Sequence, residues 1–146
     1  MIKSFELTAR EKNIQLEMET APAGGQIPFN VNADESAMQQ VFTNLIGNAI
    51  KFSRPYGKVI VKVSVLNSDV QISVIDTGIG ILSEDIPMLF NRFFRGSNAV
   101  LEEIQGTGIG LFIVRTILDK HAGKILVNSE QGKGSQFDVL LPLAEQ

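Results

Sequence analysis

Polar and apolar residues alternate through Ile14, Leu16 and Met18, which predicts a half-buried strand. A Pro/Gly cluster, APAGGQIP, interrupts the pattern, and a short strand is predicted over residues 29–33. The spacing then changes, with Met38, Val41, Leu45 and Ala49 recurring every three or four positions. Capped by Asp34, this run predicts a helix ending near Ser53. Period two returns in Val59, Val61, Val63 and Val65, and again in Val70, Ile72 and Val74, on either side of a polar LNSD turn. Those two runs predict a hairpin. A short helical stretch is expected around residues 84–94, followed by a weakly patterned mobile loop, SNAVLEEIQ, over residues 97–105. Another helix covers about residues 108–121, with Gly123 as its C′ terminator. KILVNS and SQFDVLLP form the last strands, flanking the turn EQGKG. Hairpins mixed with isolated helices define an α+β class: a two-layer α/β sandwich whose open, mixed, mostly antiparallel sheet carries helices on one face.

Composition narrows the picture without supplying chemistry. The 146 residues fit one compact domain with a substantial core, and the 44% apolar content suits a globular chain. No apolar run approaches the ~18 residues of a membrane helix, so direct membrane contact is not expected. The N-terminal stretch MIKSFELTAR lacks the apolar core of a signal peptide. The absence of cysteine excludes disulfides and thiolate-bound metal and fits a reducing, cytoplasmic compartment. A net charge of −3 with mixed signs argues against a general nucleic-acid binder.

Candidate chemistry begins with a tetrapeptide that occurs twice. DTGIG spans residues 76–80 and GTGIG spans residues 106–110. An apolar strand leads into the first copy and an apolar helix follows the second, so the pair can form two walls of one site. Neither copy is a P-loop, which needs G-x-x-x-x-G-K-[ST], nor the dinucleotide fingerprint, whose third glycine spacing differs. A turn followed by a helix start is the plain alternative for either copy. The predicted helix at residues 34–53 has no charge from Ala37 to Ile50, yet carries Gln39, Gln40, Thr43, Asn44 and Asn48. Asn44, Asn48 and Lys51 fall on one stripe, and buried amides need partners. Either the stripe is merely solvated or it binds something. Gly47, a poor helix former, adds to the oddity. Asp76 closes a central apolar strand, where a carboxylate needs a donor. An adenine amino group would serve, and an Asx turn before Gly78 is the alternative.

NLIGNAIKF, DTGIGI, LFNRFFRG and GTGIGLFIV, in this order and spacing, resemble the N box, first glycine box, Phe box and second glycine box of sensor histidine kinases. More broadly, they resemble the ATP-binding fold shared with gyrase, certain heat-shock chaperones and mismatch-repair ATPases. The likeness covers about residues 29–143.

That resemblance implies ATP and Mg²⁺ as cofactors and assigns roles to matching positions. Asn48 would give its amide oxygen to Mg²⁺, a metal that takes most ligands from phosphate and water. Lys51 and Arg95 would meet phosphate, with Arg92 as the alternative to Arg95, and Phe52 would pack at the adenine pocket. Asp76 would accept from the adenine amino group, with Gly78 and Gly80 leaving room for the ring. Gly106, Thr107, Gly108, Gly110 and Leu111 would form the phosphate-facing helix start, where backbone N–H groups meet anions. Asn44 occupies the position at which related ATPases carry a Glu base, so phosphoryl transfer is implied over hydrolysis. Phe90, Phe93 and Phe94 are read as packing, residues 96–105 as the ATP lid, and His121 as structural. The implied enzyme is an ATP-dependent protein-histidine kinase. Its partners would be a histidine-bearing dimerisation domain of the same parent chain and a response-regulator receiver domain. Residues 1–12 would be the tail of the linker from that dimerisation domain, and 13–146 the catalytic domain. A regulatory nucleotide-binding module, an anti-sigma-like serine kinase and a hydrolytic ATPase module are the other readings.

Overall fold

A computed structural model of the chain describes residues 2–20, 30–97 and 108–144. Five strands form one sheet in the order β1-β2-β3-β5-β4: β1 (Gln15–Thr20), β2 (Lys58–Leu66), β3 (Asp69–Asp76), β4 (Lys124–Glu130) and β5 (Gly134–Pro142). β1 runs parallel to β2, and every other neighbouring pair is antiparallel. The sheet is therefore mixed and mostly antiparallel, as its hairpin-rich pattern predicts. Among the described residues the α-helices are α1 (Glu6–Glu11), α2 (Glu35–Phe52) and α3 (Gly110–Lys120).

Period two decides which sheet face is covered. Val59 and Val61 of β2, Val74 of β3, and Phe137, Val139 and Leu141 of β5 share the inner face and are buried. Against them pack Val41, Leu45, Ala49 and Ile50 of α2, and Val114 and Leu118 of α3. Each fully buried aliphatic side chain contributes about 1.5–3 kcal/mol, so this two-layer interface dominates stability. The outer face is polar at its centre, where Ser73 donates to Asp138 across the β3–β5 pair. Met18 departs from the predicted pattern. It pairs with Val61 yet is 57% exposed, because β1 is the edge strand.

Ends of the helices follow local chemistry. Asp34 caps α2 by accepting from the Ser36 N–H at 3.2 Å, and Ser53 closes the helix with its hydroxyl donating to Ala49 O at 2.6 Å. Lys12, just past α1, donates from Nζ to Ile50 O (3.0 Å) and Lys51 O (2.7 Å), which places a cation at the negative end of α2. Ile2, Phe5 and Ala9 seat the N-terminal segment on the core. The end of α3 differs from expectation. Ala122, not Gly123, takes the left-handed turn (φ 55°), and the Gly123 N–H reaches back to Leu118 O at 2.8 Å. A Cβ at Gly123 would press on Leu140 O and Leu141, so close approach to β5 explains that glycine.

Two further expectations are corrected. Of the helical stretch predicted around residues 84–94, only a 3-10 turn at Ile86–Met88 forms, with Pro87 at its start. The Asp85 carboxylate accepts from Ser97 N–H and Oγ instead of capping, and Phe93 adopts φ 66°, a left-handed value that ends any α-helix. Of the strand predicted over residues 29–33, Val31 forms an isolated bridge to Leu143, and Phe29 lies outside the described residues.

Candidate functional site

The inner face of the sheet turns polar at one end. Asp76, the last residue of β3, pairs with Ser135, and Ser135 pairs with Ser129 of β4. Asp76 is only 7% exposed. Its Oδ1 accepts from the Gly78 N–H at 2.9 Å, so the Asx turn anticipated as an alternative is present. Burial pushes the Asp76 carboxyl up to about 6, while the backbone N–H groups of Gly78 and Ser135 pull the other way. These two backbone donors do not offset the desolvation. The carboxylate is poised for another.

The first glycine pair is shaped by protein rather than by open space. A Cβ at Gly78 would collide with Phe52 O, and one at Gly80 would collide with Glu130 O. Gly80 also holds φ 71°, a conformation that favours glycine. The expectation that these glycines leave room for a ring is thus joined by a packing reason for each. The Ile79 N–H donates to Phe52 O at 3.1 Å, which ties the loop to the end of α2.

α2 supplies the second wall. Asn44, Asn48, Lys51 and Phe52 are all partly buried along it. Asn44 Nδ2 donates back to Gln40 O at 2.9 Å. Its Oδ1 lies where a Cβ on Gly110 would come within 2.9 Å, so the α2 stripe meets the start of α3. Leu111, one residue on, packs against the core. Gly108 holds φ 74° beside Phe93, whose N–H donates to Gly108 O at 2.8 Å. Gly106 and Thr107 lie outside the described residues, as does the predicted loop beyond Ser97.

Two cations face this region. Lys51 Nζ stands 5.0 Å from the Phe52 ring centroid. Its pKa is lowered, first by burial and then by the positive charge of Arg95. Arg95, forty-four positions further along the chain, is near enough for its charge to be felt at Lys51. Arg92 instead lies over the Phe112 ring at 4.7 Å, and Arg115 over Phe90 at 5.9 Å. Phe90 and Phe94 are partly buried, as expected for packing, but Phe93 is 66% exposed. His121 is structural: Nδ1 contacts Ile117 O at 2.7 Å and Nε2 accepts from the Asp34 N–H at 3.2 Å.

Sequence reasoning missed Ser129, Ser135 and Gly134. A Cβ at Gly134 would strike Asp76 O, so strand β5 can approach the Asp76 backbone only through glycine. The available signal was the turn EQGKGS itself, which places a serine just after a glycine at the strand start.

The arrangement has matches among known proteins. A family model described as histidine kinase-, DNA gyrase B-, and HSP90-like ATPase matches residues 33–145. Drug sensory protein A of Synechocystis sp. is 38% identical over 146 residues, covering 93% of this chain and 21% of that protein. The chain thus spans about a fifth of that relative's length. Among solved structures, full-length ShkA in complex with AMPPNP superposes with TM-score 0.82 at 28% identity, over 99% of this chain and 29% of that one. The histidine kinase ThkA in complex with response regulator protein TrrA gives TM-score 0.77 at 29% identity, over 97% of this chain and 38% of that one.

Proposed function

Because this chain belongs to the family of histidine kinase-, DNA gyrase B- and HSP90-like ATPases, we propose that it is the ATP-binding catalytic domain of a two-component sensor histidine kinase. The observation that carries the reading is that the α2 stripe meets the glycine start of α3, Asn44 against Gly110, at a site that also holds the buried Asp76. At the other end, burial and then the Arg95 charge lower the Lys51 pKa, and a bound anion would offset that shift. A triphosphate at that end and an amino-bearing base at Asp76 complete the ligand. The solved ShkA complex with AMPPNP, an ATP analogue, supports the same choice.

Asp76 accepts from the adenine amino group, which favours ATP over GTP, whose base presents a carbonyl there. Phe52 packs at the base pocket, and its carbonyl is tied to the first glycine loop through the Ile79 N–H. Lys51 and Arg95 hold the phosphates, and Gly108, Gly110 and Leu111 present the start of α3, with Gly106 and Thr107 leading into it. No cluster of acidic residues or histidine able to hold a metal unaided occurs among the described residues. A single amide oxygen from Asn48, partly buried on α2, would suit Mg²⁺ arriving with the triphosphate, where the ion would neutralise phosphate charge. The γ-phosphorus is attacked by an imidazole nitrogen, its bond to the bridging oxygen breaks, and ADP leaves with that electron pair. Asn44 offers no base for water, and its amide is already donating within the helix.

The acceptor histidine belongs to a dimerisation domain of a longer parent chain, with residues 1–12 as the end of the linker and 13–146 as the catalytic domain. A response-regulator receiver domain takes the phosphoryl group onward. The solved ThkA pairing with TrrA supports this partner. His121 lies at the opposite end of α3 from the phosphates, about 17 Å away for eleven residues of helix, and is no acceptor.

The test is labelling with γ-labelled ATP. The isolated domain should bind Mg-ATP yet take up almost no acid-labile label, and a histidine-bearing helical domain added in trans should become labelled. Asn48→Ala should blunt the Mg²⁺ dependence of ATP binding more than Asn44→Ala does. Brisk hydrolysis by the domain alone would replace this reading with the ATPase one.

A further inference from the structure

Ser129 has more hydrogen-bond neighbours than a passive strand residue needs. Its Oγ lies 2.9 Å from the Ile81 N–H, 2.9 Å from Gly134 O and 2.7 Å from Ser135 Oγ. A hydroxyl has one proton to give and two lone pairs to accept with. Gly134 O can only accept, so the Ser129 proton goes there. The Ile81 N–H can only donate, so it takes one lone pair. The remaining lone pair faces Ser135, whose hydroxyl must then be the donor of that contact.

This count fixes the direction of the Ser135 hydroxyl proton. The Ser135 proton points at Ser129, and its two lone pairs are left for the other side. Ser135 sits opposite Asp76 on the inner face, and both are buried. We propose that Ser129 is a positioning residue for base recognition, holding the Ser135 hydroxyl so that Asp76 and Ser135 present only acceptors to the base. The proposal rests on the adenine-nucleotide reading above and adds to it a source of selectivity outside the four motifs. A base with an exocyclic amino group meets two acceptors. A base with a carbonyl at that position meets oxygen lone pairs on both sides, and no hydroxyl can rotate to greet it.

Adenosine and inosine triphosphates differ at that position, amino against carbonyl, and share the same phosphates. Calorimetric titration of both nucleotides gives their affinity ratio in the parent chain, Ser129→Ala, Ser129→Cys, Ser129→Thr, Ser135→Ala and the Ser129→Ala/Ser135→Ala double variant. Freeing the Ser135 hydroxyl in Ser129→Ala should lower the preference for ATP about fivefold, the scale of one neutral hydrogen bond, chiefly by tightening ITP. Ser129→Cys, similar in size but a weak hydrogen bonder, should move the ratio the same way and covers the case in which the alanine variant folds poorly. Ser129→Thr keeps the hydroxyl and should keep the ratio.

Because Ser129 acts through Ser135, the double variant should match Ser135→Ala alone in its ratio. An unchanged ratio in both Ser129→Ala and Ser129→Cys, with only melting temperature altered, would make Ser129 a strut and overturn the proposal. So would a further drop in the double variant. A parent chain that binds ATP and ITP equally, or neither, would instead remove the adenine reading on which the proposal stands.

Discussion

The Asp76 end of the site is buried and acidic, whereas the Lys51 end is half-open and cationic, yet both are held in an unfavourable state of charge. Burial raises the Asp76 carboxyl to about 6. Burial and the nearby Arg95 lower the Lys51 ammonium. The signs are opposite and the cause is shared: each charge lacks its full complement of partners within the fold. A molecule with donors at one end and anionic charge at the other would relieve both. The comparison also separates the two TGIG copies. The first is held by contacts to Phe52 and Glu130, while in the second Gly110 abuts Asn44 and Gly108 the exposed Phe93.

The largest test of this comparison is Asp76→Asn, which should move stability and binding in opposite directions. An acid whose folded pKa exceeds its unfolded value binds its proton more tightly when folded. Stability contributed by that proton is full below about 4 and is lost as pH rises towards about 6. At pH 7 the ionised Asp76 thus costs the empty domain up to about 2–3 kcal/mol. Asp76→Asn should raise the melting temperature at pH 7, gain little at pH 4, and weaken ATP binding by roughly 1–3 kcal/mol. Lower stability at neutral pH would contradict the buried-acid account.

At the cationic end, Lys51→Met should weaken ATP by about 2 kcal/mol, roughly thirtyfold, and leave adenosine affinity nearly unchanged. Equal losses for both ligands would place Lys51 at the base rather than the phosphates. The next effect is smaller and isolates the acidic end. Adenosine, with no phosphate to titrate, should bind several-fold more weakly at pH 5 than at pH 7, with a midpoint near 6 set by Asp76. A flat profile would mean the carboxylate does not read the base.

The smallest effect concerns the helix that joins the two ends. A Cβ at Gly47 would meet Phe5 at 3.8 Å, an ordinary contact. Gly47→Ala should therefore stabilise the domain by about 0.5–1 kcal/mol, read as a rise in denaturation midpoint. A loss would show that α2 needs its glycine for a reason the packing does not reveal.

Strong periodicity made α2 and the β2–β3 hairpin legible from residues alone, because one buried face on each forces a fixed spacing of apolar positions. The stretch around residues 84–94 misled because its apolar spacing is helical while Pro87, Asp85 and the left-handed Phe93 each divert the backbone. Phe93 misled again as a packing residue, since type alone says nothing of which way a strained backbone aims a ring. The four motifs singled out Asp76, Asn48, Lys51 and Arg95 as candidates. Ser129 and Ser135 escaped because a serine on a strand has no periodic signature. Their importance comes from cross-strand register with Asp76, which no local window contains.

His121 is the one histidine in the chain, and it bridges the last turn of α3 to the amide of Asp34, the N-cap of α2. Accepting at Nε2 fixes its proton on Nδ1, the less common neutral tautomer. The molecule therefore carries a built-in spectroscopic probe far from the nucleotide. A single pair of imidazole nitrogen resonances would report whether the two helices that frame the site stay joined at their far ends when a ligand enters between their near ones.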